Sequence, residues 1–411
     1  MNVFKQITVI IAIQLAFFST DLYAICDLEH EGQVSIHCGS TPSAAFDPQG
    51  TLWVTFVQNE FVYVSQSTDL GNTYSLPVAV NSLAEDAEHN GENRPKIIVD
   101  DDGLIFISWT LKTSPRFTGE IRFSRSTDGG KTFEEPRTIN DDGIFAGHRF
   151  ESLFLSESGH LYLTWIDKRD LEASLENGNT YIGAAVYYSV SDDQGKTFSK
   201  NYRVADHSCE CCRIAIAPRG AENIAILWRQ VFGDDVRDHA IAELTPHGDI
   251  LETQRASFDE WHINACPHHG PTMAQSTISN DYHMSWFTNG DINQGIYYAK
   301  YSFTESGPTQ LYSVDRQPGA GHPHLAESNE KLYLVWKGFN GRETLLNVIT
   351  SVDDGMTWSD TVTLITTEKS SDHPFLIKRV DDVFLSWHTQ QYGHIFLDMS
   401  QQNIQISDND L

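Results

Sequence analysis

Short runs in which apolar and polar positions alternate recur along the chain, and most end near a tryptophan. They fall at Leu52–Val54 around Trp53, Ile105–Trp109, Leu161–Trp165, Ile224–Trp228, His283–Trp286, Leu332–Trp336 and Val383–Trp387, with the tryptophans 50 to 63 residues apart. Alternation with period two puts successive side chains on opposite faces, so each run reads as a half-buried strand. A Gly-containing turn precedes several of them, at 47–50, 100–103 and 156–159, with a shorter apolar strand before it. Four short strands per roughly 50 residues is the pattern of β-propeller blades. Seven tryptophan strands predict an all-β chain of seven four-stranded antiparallel blades, with six the alternative. The last unit, His373–Met399, has room for only three strands. Gln33–His37 is therefore expected to add a strand there, closing the ring and removing an open sheet edge.

A second repeat overlies the first. Ser67, Asp69, Gly71, Thr73 and Tyr74 recur in type and spacing as Ser126, Asp128, Gly130, Thr132 and Phe133. They recur again as Ser191, Asp193, Gly195, Thr197 and Phe198, then as Ser351, Asp353, Gly355, Thr357 and Trp358. The pattern S-x-D-x-G-x-T-aromatic has the mechanics of a hairpin turn. The carboxylate bonds nearby backbone N–H groups, Gly takes a φ that other residues resist, and the aromatic ring tucks beneath.

Composition narrows the function. The 411 residues are 40% hydrophobic and 11% aromatic, enough for a large core and against disorder as the main state. A formal charge of -28 argues against nucleic acid or an anionic membrane surface as partner, so an anionic ligand needs a local cationic site. Residues 1–24 read as a signal peptide: Lys5, an apolar run from Ile7 to Phe18, and Leu22-Tyr23-Ala24 before a cut after Ala24. No later segment is apolar enough for a membrane span. A secreted or periplasmic, monomeric propeller over 25–400 with a polar tail at 401–411 is expected. In an oxidising compartment six cysteines read first as disulfides, with Cys26 and Cys38 placed to close a short loop.

In a propeller the connections between blades emerge on one face. The loops 81–94, 140–149, 206–213, 257–271, 315–324 and 366–374 hold nine of the 17 histidines and Cys209, Cys211, Cys212 and Cys266. Arg94, Arg149 and Arg213 open three consecutive blades and could fan around a carboxylate, phosphate or sulfate; each could equally pair with an acidic loop neighbour. Three thiols within four residues, facing Cys266, His268 and His269, suit zinc or Cu(I), with His322 and His324 as further ligands. Disulfides tying adjacent loops, or a vicinal Cys211–Cys212 bridge, are the alternatives. Glu92, Glu151, Asp167, Asp170, Asp259, Glu260 and Asp291 lie in or beside the same loops and are available for proton chemistry. Tyr297, Tyr298 and Tyr392 are available as a nucleophile. Arg94, Arg149, Arg213, Glu151 and Asp167 form the candidate catalytic set.

The four repeated turns, the leader and the blades together resemble the sialidase-like (neuraminidase) superfamily of Asp-box propellers, over nearly all of the mature chain. The resemblance implies a propeller fold and a carbohydrate-directed activity, a sialidase-like glycoside hydrolase if the protein is an enzyme. It also implies an arginine triad on a substrate carboxylate, an aspartate acid/base and a Tyr–Glu nucleophile pair. Asn93-Arg94-Pro95 echoes the family's early Arg-Ile-Pro motif, whereas no Tyr–Glu pair is assignable. Three readings follow: a glycosidase on an acidic glycan, a copper- or zinc-binding propeller, and a non-catalytic glycan- or protein-binding propeller.

Overall fold

The computed structural model describes Cys26, residues 33–305 and residues 307–400; the expected signal peptide and C-terminal tail lie outside these. Seven antiparallel sheets succeed one another along the chain as blades of a β-propeller, six with four strands and the last with three. The first strand of each blade lines the centre: Ser40–Phe46, Lys96–Val99, His148–Leu155, Ala215–Arg219, Thr272–Gln275, Gly321–Ser328 and Phe375–Arg379. The expected tryptophans all lie on second strands, and six of the seven are below 2% exposed. Each of these seven indole N–H groups is satisfied within its own blade, in the preceding loop or at the end of the preceding blade's outer strand. The acceptors are Asp47, Glu85, Asp167, Gln230, Asp259 and Asp315 side chains and the Asp372 carbonyl, at 2.7 to 3.0 Å. A large ring is thereby buried without stranding its polar atom.

The four repeated turns share one hydrogen-bond set. In the first, Ser67 Oγ donates to Asp69 Oδ1, the Thr73 N–H and hydroxyl donate to the two Asp69 oxygens, and the Gly71 N–H donates to Ser67 Oγ. The same bonds recur around Asp128, Asp193 and Asp353. The glycines have φ between +73° and +85°. At Gly355 a Cβ would fall 1.8 Å from the Tyr298 hydroxyl, so close approach as well as backbone conformation requires glycine there.

Ring closure differs from expectation in one respect. Residues 36–38 form a turn, and no fourth strand joins the last blade among the described residues. The segment still bridges first and last blades: the His37 carbonyl lies 3.1 Å from His388 Nε2, and the His394 N–H donates to His37 Nδ1. Phe46 of the first inner strand packs on Phe384 with ring centroids 5.1 Å apart. Cys26 and Cys38 form a disulfide on this segment. One short α-helix, Arg169–Glu176, and a single 3-10 turn, Gly233–Asp235, interrupt the strands among the described residues, and no helix there is long and apolar enough to cross a membrane.

Candidate functional site at the channel mouth

All seven inner strands run the same way, so their first residues meet at one end of the channel, where the inter-blade loops converge. Glu92, in the loop before the second blade, is the hub. Its Oε1 receives Arg213 NH1 at 2.8 Å, and its Oε2 receives the Arg213 and Gly270 N–H groups at 3.2 and 2.8 Å. His322 Nδ1 and His373 Nδ1 lie 3.2 and 3.4 Å from Oε1. Burial alone would raise the Glu92 pKa; Arg213, with help from the two histidines, outweighs it and holds the carboxyl well below the ordinary range.

Above this carboxylate runs a column of rings. Phe287 stacks on His269 at 4.2 Å, His269 on His322 at 4.3 Å, and His322 on His373 at 3.4 Å. Burial drives the histidine pKa values down, to about 2 for His269 and about 4 for His373 despite the nearby Glu92. These imidazoles are neutral at pH 7. His324 lies beside the column, accepts the Leu376 N–H at 3.1 Å, and is lowered to about 3 by burial and then by Arg213 and Arg94.

Each of the three arginines already has an acidic partner. Arg94 pairs with Asp372, Arg149 with Glu88 at 2.5 Å, and Arg213 with Glu92. Two lysines absent from the sequence-based expectations complete the mouth. Lys96 lies 3.6 Å from Glu151, and burial pushes both toward neutrality, the lysine down and the carboxyl up, each opposed by the other's charge. Thr110 donates to Glu151 at 2.7 Å. Lys337 donates to the Ser371 carbonyl, and burial lowers its pKa against the pull of Asp372. Arg94, Lys96, Arg213 and Lys337 thus face Glu92, Glu151 and Asp372, four basic groups to three acidic ones inside a chain of net charge -28. A cleft of about 460 Å³ opens beside Asp372, lined by His37, Thr41, Asn90 and His388 among others.

Asp167 belongs to a different cluster. It accepts the Trp165 indole N–H, pairs with Arg169 at 2.8 Å, and lies 3.6 Å from His148, which bonds Asp142 at 2.9 Å. Burial opposes protonation of His148, but Asp142 and Asp167 prevail and its pKa rises. Tyr297 and Tyr298 sit on the third strand of the fifth blade, stacked on Trp286 and bonded to His283 respectively, away from the mouth.

The expected Cys/His set divides in two. His269 and His322 join Glu92, and His268 is exposed. The thiols gather separately: Cys209 Sγ lies 3.7 Å from Cys211 Sγ and 3.6 Å from Cys212 Sγ, all three buried. Cys266 is exposed and lies outside this group of three, though Cys211 is near enough to lower its pKa. None of the four is disulfide-bonded, so the expected ties between adjacent loops and the vicinal bridge are both absent here. Thiol hydrogen bonds from Cys211 and Cys212 hold Cys209 well below the usual thiol range, against burial and with help from Arg229 and Arg237.

No protein-family model matches the chain, and no curated protein matches it in sequence. Solved structures do match in shape. An ulvan lyase of a new polysaccharide lyase family, bound to -[GlcA(1-4)Rha3S]-, superposes with a TM-score of 0.55 at 12% identity, covering 90% of this chain and 98% of its own. A Hadza microbial sialidase gives 0.49 at 14% identity over 83% of this chain and 74% of its own. The α-L-arabinofuranosidase of Fusarium graminearum gives 0.48 at 13% identity, over 80% and 93%. At these identities the likeness is one of fold.

Proposed function

We propose that the protein is an exported propeller directed at an acidic carbohydrate, which it binds at the inter-blade mouth. The observation that carries this reading is the gathering of four basic side chains, Arg94, Lys96, Arg213 and Lys337, around three acidic ones in a strongly acidic chain. Such a site attracts a uronate, sulfate or sialate where the rest of the surface repels it. The ulvan lyase, itself bound to a glucuronate-containing saccharide, supports the same substrate class. The Cys26–Cys38 disulfide fits export into an oxidising compartment.

The activity proposed is cleavage of an acidic glycan, with release of a terminal sialate or uronate as the sialidase-like form. Glu151, held between Lys96 at 3.6 Å and Thr110 at 2.7 Å with a pKa that burial raises, is the proton donor in this reading. Glu92 cannot serve, since Arg213 holds it ionised. Neutral His322 and His373 are available as bases. The thiol cluster favours a second reading, a metal-binding propeller; the two are compatible, because the thiols form a group of their own, apart from the Glu92 hub to which the neighbouring Arg213 donates.

The test is a glycan array carrying sialylated, uronate-containing, sulfated and neutral saccharides, followed by turnover assays on whatever is retained. Retention of acidic over neutral glycans, weakening with salt, is expected. Uniform absence of binding across the acidic glycans overturns the reading.

A further inference from the structure

From the thiol cluster we infer that Cys209, Cys211, Cys212 and Cys266 bind one zinc ion that clasps the two ends of the fourth blade. Cys209, Cys211 and Cys212 lie in the loop entering that blade, before its inner strand Ala215–Arg219, and Cys266 lies in the loop leaving it, after its outer strand Ile250–Arg255. The inference is independent of the glycan reading.

Geometry is the first support. Four sulfurs placed about 2.3 Å from one tetrahedral centre stand about 3.8 Å from each other. The Cys209 sulfur is 3.7 and 3.6 Å from those of Cys211 and Cys212, and the three lie within 4.8 Å of one another, so three ligands are already in place; Cys266, on its exposed loop beside them, stands outside this group and closes on the ion as the fourth. A disulfide would instead bring one pair to about 2.05 Å.

Charge is the second support, and it comes from residues outside the cysteine motif. Arg229 and Arg237 are 1% and 6% exposed, and neither forms an ion pair with a carboxylate among the described residues. Arg229 donates only to the carbonyls of Arg237, His269 and Phe287. Arg237 donates to the Ile263 carbonyl and to Cys209 Sγ, the latter at 3.4 Å. Two buried guanidiniums with no carboxylate partner carry a large desolvation cost. A divalent ion held by four thiolates leaves two negative charges over, and these two arginines stand against them. Whatever thiol protons the four cysteines carry leave as the ion binds.

The clasp also reaches the mouth. Cys212 is followed by Arg213, and Cys266 is four residues from Gly270; both Arg213 and Gly270 donate to Glu92. The ion therefore fixes the two loops that hold the hub carboxylate, in the way that outer supports fix a site.

The experiment takes the full chain purified without chelator or added metal. Metal content and native mass are measured, and thiols are titrated after unfolding in chelator. About one zinc per chain, with four thiols appearing on its removal, is expected. A chain without metal whose four cysteines are oxidised overturns the inference, as does one that stays metal-free in excess zinc, or one that carries copper instead. Cys266→Ser removes the most exposed ligand and should weaken zinc binding at least tenfold in competition with a chromophoric chelator; unchanged affinity overturns its place in the set. Cys211→Ser, which removes a buried ligand, should abolish zinc binding, and retained stoichiometric zinc overturns the set; if that variant does not fold, cobalt substituted into the unaltered chain decides. Intense sulfur-to-metal charge-transfer absorption is expected, and its absence refutes thiolate ligation.

Discussion

Glu92 and Arg213, 121 residues apart, meet 2.8 Å from each other across the channel mouth, with both side chains below 10% exposed. This pair ties the loop before the second blade to the loop before the fourth. Glu92→Gln removes the charge that Arg213 answers and leaves a buried guanidinium without a counter-ion. A loss of about 3–5 kcal/mol is expected, read from urea or guanidinium midpoints. A variant as stable as the original protein would show that the pair holds nothing together.

Glu151→Gln provides the contrast. Burial already favours the uncharged carboxyl, and the amide keeps a hydrogen-bonding atom for Thr110. Its cost in stability should be well below that of Glu92→Gln. Turnover of an acidic glycan should fall by about a hundredfold or more, the contribution of a placed proton donor. Full turnover in this variant would remove Glu151 from the chemistry.

Acid should destabilise the protein early. Histidines whose folded pKa is depressed take up protons in the unfolded chain first, so stability falls as pH drops below the unfolded value near 6.5. His373, lowered to about 4, accounts by itself for about 2 kcal/mol between pH 7 and pH 5. His148 acts oppositely: its raised pKa gives stability that is present below pH 6.5 and lost as pH rises through the folded value. The depressed group is larger, with His269, His322, His324 and His388 beside His373, so the net slope follows it. Denaturant midpoints at pH 5, 6, 7 and 8 check the sign, and a midpoint that rises on acidification contradicts it.

Two glycines with nearly equal φ should respond unequally to alanine. Gly159, at +85°, has nothing within 4 Å of the place an added methyl would take, so Gly159→Ala meets only backbone strain of about 1–2 kcal/mol. Gly355, at +80°, would drive its methyl onto the Tyr298 hydroxyl. Thermal midpoints of the two variants should separate clearly, with Gly355→Ala the lower; equal losses would mean that the ring yields freely.

Much of the fold is legible in the sequence because propeller blades repeat. The second-strand tryptophans and the S-x-D-x-G-x-T turns each state the same local geometry several times, so blade count and strand order follow from spacing. The closing segment misleads because Gln33–His37 alternates like a strand, while its bonds to His388 and His394 are side-chain bonds that alternation does not encode. The mouth is half legible. Loop sorting brings Arg94, Arg213, His322 and the cysteines to one face, but spacing says nothing of partners, so it groups Asp167 with residues that Asp167 does not touch. Lys96 and Lys337 escape notice because single lysines at strand positions resemble solvated ones. Arg229 and Arg237 carry no motif; their significance is the missing carboxylate, which only three dimensions reveal.

Each blade places one indole in a near-equivalent pocket, yet the atom receiving its N–H changes around the ring, from carboxylate to amide to carbonyl. Seven of the chain's nine tryptophans thus sit as fluorophores at known angular positions, each with its own quenching environment. Retaining one tryptophan at a time would turn emission into a record of which sector of the ring loosens first.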